Sequence, residues 1–413
     1  MNLKWEILCM IIFAVLCAEI CWAQETGENK RDVYAHFLTW FKTKDFSGRW
    51  EMWDSDWQQS PHDPNVIFLN GKRDLAVTSY PLTGEYDSSD PNIIEYQFLL
   101  MKLCGIDGII VDWDGRRINK YRHDCLMTIL PYLEKYDMKL IMCFEEWCGY
   151  WPKGTYADRE MEIKAAQDEL RWMSDTFLSK PFYGTVNGVK PVLVFRKIVE
   201  QWFTVDEWHK IAEAFDNTPV KLIFDTGFYG QFGGVAGGKY FWVGSFDPKT
   251  NNSSLEFCKN AYTDFFKAKN EQIKNEIVFG GVTPGFDDSP VWGWGTTARK
   301  APRYDGKRYD LTWQISMDNN VDIIQIITWN DWNEGTQIEP CEQFGYKYLE
   351  MTKKYAAKYK GTGDNVPNEI LTIPLTLYKA RKNSKSDKTV LDELRNALLK
   401  QDFVNAKALA GKL

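Results

Sequence analysis

The sequence predicts a (β/α)8 barrel of the TIM type, with long loops after some strands and a small C-terminal appendage. Three observations predict this fold. Eight short β-like runs recur along the 413 residues, and amphipathic stretches of helical period lie between them. Several of the runs are apolar almost throughout, as is typical of parallel strands that are covered on both faces. Alternation of strands with helices indicates a parallel sheet, and eight repeats favour a closed barrel.

The first strand is predicted near the N-terminus and the last ends in a cluster of polar and aromatic residues. The eight predicted strands are Val33–Trp40, Ile106–Trp113, Lys139–Glu146, Pro191–Arg196, Lys221–Gly227, Tyr240–Phe246, Glu276–Gly285 and Val321–Asp331. Amphipathic stretches that predict helices include Pro91–Cys104, Arg122–Tyr136, Arg159–Leu178 and Val205–Phe215.

Residues outside the repeat divide the chain into three parts. Residues 1–23 read as a cleaved signal peptide, because Lys4 precedes the apolar run Ile7–Ile20 and small Ala23 precedes polar Gln24. The run is short for a transmembrane helix, so we expect an exported protein, periplasmic or secreted, with no stable membrane span. Residues 31–360 form the predicted barrel. Residues 361–413 form the appendage, predicted as an extended segment and a helix.

Composition narrows the possible functions. The net charge is −7 with both signs well mixed, and no basic stripe indicates a nucleic-acid partner. Aromatic residues make up 15% of the chain, including 18 Trp, which suits either a carbohydrate enzyme or a large aromatic core. The six cysteines after residue 23 have no zinc-type spacing, and no phosphate-binding loop is present, so we expect neither a metal nor another cofactor. One disulfide remains possible.

Acidic and aromatic residues follow several predicted strands. Because the carboxyl ends of barrel strands converge on one face, acids placed there share one cleft. Alternatively, some of these acids cap the helices that follow. The residues concerned are Asp112, Trp113, Asp114, Glu145, Glu146, Trp147, Asp225, Asp247, Trp329, Asn330 and Asp331.

Two long loops and the first strand contribute further candidates. We expect the segments Lys42–Asp90 and Phe286–Asp310 to overhang the cleft, with Trp292 and Trp294 as sugar-stacking rings. His36 on the first strand is a candidate sugar ligand or a structural histidine.

The most informative motif is the stretch Thr328–Pro340 at the end of the eighth strand. It places Asp331 and Glu334 three residues apart; Asp331 lies between Asn330 and Trp332, and Glu334 follows Asn333. Cleavage of a glycosidic bond needs a proton donor and a second carboxyl group, about 5–5.5 Å apart in retaining enzymes and about 6.5–9.5 Å in inverting ones. A turn of this length can supply either spacing.

This motif resembles that of glycoside hydrolase family 99, the endo-α-mannosidases and endo-α-mannanases, and the wider family 71/99-like group. The family motif reads tryptophan-asparagine-glutamate-tryptophan, then glutamate-glycine-threonine-glutamine-isoleucine-glutamate. Further similar segments are Tyr80–Pro91, Gly105–Gly108 and Pro284–Asp288. The resemblance covers roughly Val33–Lys360.

The resemblance implies roles for individual residues. Glu334 matches the general acid/base of the family, and Asp331 matches a second acid, normally glutamate, which is thought to deprotonate the sugar 2-hydroxyl in a retaining reaction. Aspartate is shorter by one methylene, and a misplacement of roughly 1 Å can cost about 100-fold in rate. A further family acid corresponds to Glu145 or Glu146, and the sequence does not decide between them. Trp147 departs from the family pattern.

The sequence therefore predicts a glycosidase with a glycan substrate. Two alternatives are a carbohydrate-binding barrel with altered catalysis and a glycosidase acting on a non-mannose glycan. A glycan-modifying transferase is disfavoured by the export signal. Besides catalytic Glu334 and Asp331, the predicted substrate-binding residues are Glu145, Glu146, Asp112, Trp113, Tyr34, His36, Trp292, Trp294, Trp329, Asn330 and Trp332.

Overall fold

The computed structural model describes most of the chain after residue 30. The described residues are 31–55, 62–149, 155–195, 203–215, 218–225, 229–244, 246–269, 271–383 and 385–413. The predicted signal peptide, residues 1–23, lies outside them. The barrel strands are β1 (Asp32–His36), β2 (Gly108–Trp113), β3 (Lys139–Glu145), β4 (Lys190–Phe195), β5 (Val220–Asp225), β6 (Ala236–Tyr240), β7 (Ile277–Val282) and β8 (Ile323–Ile326).

These eight strands close into a parallel barrel, which confirms the predicted fold. Each strand pairs with its neighbours in chain order, and β1 closes the ring against β8 with Asp32 opposite Ile323. A separate antiparallel pair, Phe286–Asp287 with Lys300–Ala301, lies in the loop after β7.

In the ranges that the structure describes, an α-helix follows each strand except β5. The longer helices are α1 (Pro91–Leu103), α2 (Lys120–Lys135), α3 (Arg159–Met173), α4 (Val205–Ala212), α5 (Leu255–Lys267), α6 (Lys307–Asp318), α7 (Lys347–Lys360), α8 (Ile373–Lys382), α9 (Lys388–Leu399) and α10 (Phe403–Ala410). Within the described residues, β5 and β6 are joined only by the short 3-10 helix Tyr229–Phe232. Further short helical segments are Lys44–Ser47, Glu146–Gly149, Ser174–Leu178, Glu213–Phe215, Ser289–Val291, Trp292–Gly295, Tyr304–Gly306 and Asn368–Thr372.

Side chains alternate between the barrel interior and the surrounding helices, because successive residues of a strand point to opposite faces. The interior is filled by a cluster that includes Tyr34, Ile110, Ile141, Leu193 and Phe279. Tyr34 is fully buried in this cluster. The prediction that Tyr34 contacts substrate is therefore wrong, and its role is to fill the barrel.

Strand β6 begins at Ala236, four residues before its predicted start at Tyr240. The run Tyr240–Phe246 was predicted because it is apolar, whereas the strand contains the pair Gly237-Gly238. A Cβ atom on Gly238 would lie 2.0 Å from the carbonyl oxygen of Ile277 on β7. Glycine is therefore required where these two strands approach, although two consecutive glycines usually indicate a turn.

The C-terminal appendage is helical and covers α1. The predicted extended segment Asn365–Tyr378 is wrong, because its second half belongs to α8; the predicted final helix is divided into α9 and α10. The rings of Tyr378 and Tyr96 pack at 5.8 Å. The guanidinium of Arg381 donates to the buried carboxylate of Glu95 at 2.8 Å. These contacts add to the packing of α1 in the main core, and ten of its thirteen residues are buried.

In the part of the chain described here, none of the helices combines the length and apolarity needed to cross a bilayer.

The close approach of β6 and β7 gives a test of the fold. Gly238→Ala should destabilise the protein by roughly 3 kcal/mol, because the added methyl group has no room beside backbone. Gly230→Ala is the control, since nothing lies within 4 Å of its Cβ position. Thermal unfolding of both variants checks this, and equal melting temperatures would contradict the assigned strand.

Candidate active site

The segment after β8 forms a compact turn that returns to its own start. The Thr328 backbone N–H donates to the carbonyl of Thr336 at 3.1 Å, and the N–H of Ile338 donates back to the carbonyl of Thr328 at 3.1 Å. The hydroxyls of the two threonines are 2.9 Å apart. The Thr328 hydroxyl also accepts the N–H of Asp331 at 2.8 Å. The turn therefore holds the backbone of Asp331 and Glu334 in one conformation.

Buried side chains attach this turn to the long loop after β1. Asn330 accepts the N–H of Leu38 at 2.8 Å and donates to the carbonyl of the same residue at 3.0 Å. Asn333 donates to the carbonyls of Met52 and Ala76 at 2.8 and 3.0 Å. Paired buried amides of this kind fix a single arrangement of the two segments.

A hydrogen-bonded network centres on the hydroxyl of Tyr86, which is buried. The hydroxyl donates to Glu339 at 2.9 Å and accepts from the indole of Trp332 at 3.0 Å and from Asn330 at 3.2 Å. Gln97 on α1 donates to the other oxygen of Glu339 at 3.1 Å. Burial raises the pKa of Glu339 to about 8, so this carboxyl group is protonated at neutral pH.

Four predicted substrate contacts are therefore wrong. Trp329 and Trp332 are fully buried in the core, and Asn330 uses its amide for the backbone of the first loop. Trp113 is 1% exposed and stacks on Trp172 of α3, since it points outward from β2. These residues support the site from behind and cannot reach a sugar in the cleft.

Side chains alternate in direction along β3, and this alternation decides whether Glu145 or Glu146 faces the cleft. Glu145 lies on the interior-facing side with Ile141 and Cys143, and its carboxylate accepts the indole N–H of Trp147 at 3.1 Å. Glu146 points outward and is buried, where it accepts the backbone N–H of Phe203 at 2.9 Å. Glu145 faces the cleft, and the prediction that Glu146 contacts substrate is wrong.

Asp331 and Glu334 lie together on the turn but in different settings. Asp331 is 4% exposed, and one of its carboxylate oxygens accepts the backbone N–H of Glu334 at 2.9 Å. Glu334 is partly exposed. Burial and the neighbouring charge of Glu334 hold the pKa of Asp331 well above its ordinary value. Burial raises the pKa of Glu334 to about 7, against the opposing effects of the Arg299 charge and the Trp294 hydrogen bond.

The loop after β7 lies directly against Glu334. The indole N–H of Trp294 donates to the Glu334 carboxylate at 2.7 Å. Asp288 and Arg299 form an ion pair at 2.7 Å that fastens the loop upon itself. Trp292 is 54% exposed. The two tryptophans therefore differ: Trp294 contacts the candidate acid, and Trp292 is free to meet a ligand.

Asp112 and Glu145 complete the acidic group. Both lie on interior-facing positions at the carboxyl ends of adjacent strands. Burial raises the pKa of Glu145 well above its ordinary value, and repulsion from Asp112 adds to this shift. The charge of Asp112 also raises the pKa values of Asp331 and Glu334. The acids from three separate segments therefore share one site.

The remaining candidates lie below or beside this group. His36 is fully buried beneath Asp112, so the prediction of a direct sugar contact is wrong. Asp114 is buried in an ion pair with Arg122 at 3.1 Å. Asp247 accepts the backbone N–H of Lys249 in a turn.

Four residues of the site were not identified from the sequence. Tyr86 and Glu339 lie within the segments that resemble the family, but a buried hydroxyl cannot be told from a solvent-facing one in a sequence. Arg299 lies outside every motif, as does Gln325, whose amide oxygen lies 3.0 Å from Nε2 of His36.

The described ranges contain no cluster of three or more histidine, cysteine or acidic side chains suited to a metal ion.

A closed parallel barrel that gathers Glu334, Asp331, Asp112 and Glu145 at its carboxyl face has the architecture and the acids of a glycosidase. Comparison with known proteins gives the particular family. The sequence model of Glycosyl hydrolase family 99 matches residues 29–362, and the chain belongs to this family. It is accordingly a glycosidase that acts on glycans.

Individual relatives agree with the assignment. The glycoprotein endo-alpha-1,2-mannosidase of Rattus norvegicus is 24% identical over 373 residues, which is 79% of this chain and 74% of the relative. A glycoprotein endo-alpha-1,2-mannosidase-like protein of Homo sapiens is 22% identical and covers 79% of this chain and 76% of its own length. The GH99 endo-alpha-mannosidase of Bacteroides thetaiotaomicron has a similar fold, with a TM-score of 0.59 and 19% identity over 81% of this chain and 98% of that one.

The Tyr86 network gives a prediction about stability. Because the pKa of Glu339 is raised from about 4.5 to about 8 in the folded protein, unfolding releases its proton between these values. Its contribution to stability is full below pH 4.5 and falls by about 1.4 kcal/mol per pH unit as the pH rises towards 8. In Glu339→Gln, the free energy of unfolding should therefore fall less steeply between pH 5 and 8, by about 1.4 kcal/mol per pH unit.

Urea unfolding at several pH values checks the prediction. Glu342→Gln, at an exposed neighbouring position, is the control and should leave the pH dependence unchanged. An unaltered slope in Glu339→Gln would show that this carboxyl group is ionised in the folded protein.

Proposed function

We propose that the protein is a retaining glycosidase that cleaves α-mannosidic linkages in a glycan, with Glu334 and Asp331 as its carboxylate pair. One observation carries the proposal: Glu334 is partly exposed on a rigid turn and has a pKa of about 7. A general acid must be protonated at the working pH and must reach the departing oxygen. Glu334 meets both requirements.

The chemistry assigns distinct tasks to the two acids. Glu334 gives its proton to the glycosidic oxygen as the bond to the anomeric carbon breaks, and later takes a proton from the water that attacks this carbon. Asp331 is the second carboxyl group, beside the sugar. Its carboxylate accepts the backbone N–H of Glu334, which fixes the relative position of the two residues. In the first displacement Asp331 takes the proton of the sugar 2-hydroxyl, and the 2-oxygen bonds to the anomeric carbon as the leaving oxygen departs with the proton of Glu334. In the second, water attacks this carbon, the bond to the 2-oxygen breaks, and Asp331 returns the proton to that oxygen. Two successive displacements at the same carbon give retention.

Two further observations support the mannose specificity and the export of the protein. The relatives described above are named for endo-α-mannosidase activity, and the similarity covers 79% of this chain. We infer an α-mannosidic substrate on this basis. The apolar run Ile7–Ile20 supports export to the periplasm or the medium.

A second candidate is a carbohydrate-binding barrel with weakened turnover. Asp331 replaces the family glutamate, and one of its oxygens is already occupied by the N–H of Glu334. Trp147 donates to Glu145 where the family pattern differs, which favours a glycan other than a mannoside.

Glu334→Gln tests the catalytic assignment. The amide cannot donate a proton to the leaving oxygen but has nearly the same shape, so turnover should fall by at least about 100-fold while oligosaccharide affinity stays within a few-fold. Product analysis with α-mannan oligosaccharides and calorimetric binding measure the two quantities. Binding without turnover in the wild-type protein would support the second candidate, and an active Gln variant would exclude Glu334 as the acid.

The pH dependence gives an independent test. With a pKa of about 7, Glu334 keeps its proton to a higher pH than an ordinary glutamate, and kcat/KM should decline only as the pH rises through about 7. The Trp294 hydrogen bond stabilises the anion, so Trp294→Phe should shift this decline to higher pH. Trp292→Phe is the matched control. A decline near pH 4–5 would mean that Glu334 is not the acid.

A further inference from the structure

The orientation of the His36 ring is fixed by Gln325 beneath the cleft. The amide nitrogen of Gln325 donates to the backbone carbonyl of Phe241, so its amide oxygen is the atom that faces His36. This oxygen lies 3.0 Å from Nε2 of His36. An amide oxygen only accepts, and therefore Nε2 of His36 carries a hydrogen. Both side chains are fully buried.

The other ring nitrogen of His36 faces Asp112. Nδ1 lies 3.5 Å from one carboxylate oxygen of Asp112, and neither atom has a hydrogen-bond partner among the described residues. In a neutral ring with hydrogen on Nε2, Nδ1 presents a lone pair towards the lone pair of a carboxylate. This arrangement is unfavourable in a buried place, and one proton between the two atoms removes the repulsion.

The surroundings isolate this contact from water but leave Asp112 open above. The ring of Trp242 packs edge-on against His36 at 4.6 Å. The Asp112 side chain is 9% exposed, whereas that of His36 is fully buried. A proton held by His36 therefore exchanges through Asp112, and the exposed edge of Asp112 faces the cleft.

The groups around Asp112 are mostly acidic. Cys143 and Glu145 face it from β3, Asp331 and Glu334 from the turn after β8, and Asp114 from its own segment. Tyr240 faces it from β6. Within the described chain, His36 is the basic group in direct contact with Asp112, so its proton offsets one of several negative charges.

We propose that His36 and Asp112 share one proton, and that this dyad forms the hydroxyl-binding floor of the sugar subsite. Asp112 contacts the sugar with its free carboxylate edge, and His36 is a positioning residue that holds Asp112 through Nδ1. The sugar contact of Asp112 rests on the proposed glycosidase function. The shared proton is independent of that function.

The proton on Nδ1 has a direct consequence for binding. Without it, the carboxylate of Asp112 loses this donor while Glu145 and Asp331 still lie close to it. The sugar hydroxyl then loses an oriented acceptor, so KM rises.

Two variants of His36 distinguish a role in positioning Asp112 from a role in core packing alone. In His36→Asn the amide nitrogen takes approximately the place of Nδ1 and donates to Asp112. In His36→Gln it takes approximately the place of Nε2, and no donor stands at the place of Nδ1. We expect His36→Asn to keep both KM and kcat/KM within about tenfold of the wild-type values. His36→Gln should raise KM by about 100-fold. Similar KM values in the two variants would overturn the positioning role, once thermal unfolding shows both to be folded.

Nitrogen NMR of labelled histidine tests the shared proton without any substrate. The His36 signals, assigned by their loss in His36→Asn, should show hydrogen on both ring nitrogens at neutral pH. In Asp112→Asn only Nε2 should carry hydrogen, because the new amide can donate to Nδ1. A wild-type ring with a bare Nδ1 from pH 5 to 8 would overturn the dyad. A dyad seen by NMR in a protein without turnover would instead locate the failure in the proposed function.

Discussion

The buried hydroxyl of Tyr86 is the contact on which the geometry of the site depends. It joins the loop after β1, the turn after β8 and helix α1, through Trp332, Asn330 and Glu339. Each partner is a buried polar group that would be costly to leave unpaired. The chain therefore has one low-energy way to bring these segments together, and that arrangement places Glu334 at the edge of the cleft.

A second constraint is electrostatic. The barrel brings acids from β2, β3 and the last turn to one face, where repulsion and burial favour protonated forms. The same effect that makes Glu334 able to donate a proton makes the site costly to maintain as the pH rises. Positive groups limit this cost at the margins: Arg299 near Glu334, and Arg122 near Glu145.

The sequence predicted the fold well because strand and helix periods repeat, and it predicted the face of the site because strand ends are easily identified. It could not tell which way a side chain points when neighbours are chemically alike. Glu145 and Glu146 differ only by the alternation of the strand, which places one in the cleft and the other behind it. Tryptophans next to the acids looked like sugar platforms, yet Trp329 packs in the core. The predicted sixth strand, Tyr240–Phe246, left out the glycines of β6 because their close contact with β7 is not local in sequence.

Helix α8 covers a helix that is made much earlier in synthesis, α1. Helix α1 presents apolar surface on its outer side, and α8 covers it through Tyr378 and Arg381. During synthesis this surface stays in water until α8 has been made. A nascent barrel therefore keeps an uncovered apolar face until residues 373–382 have been added.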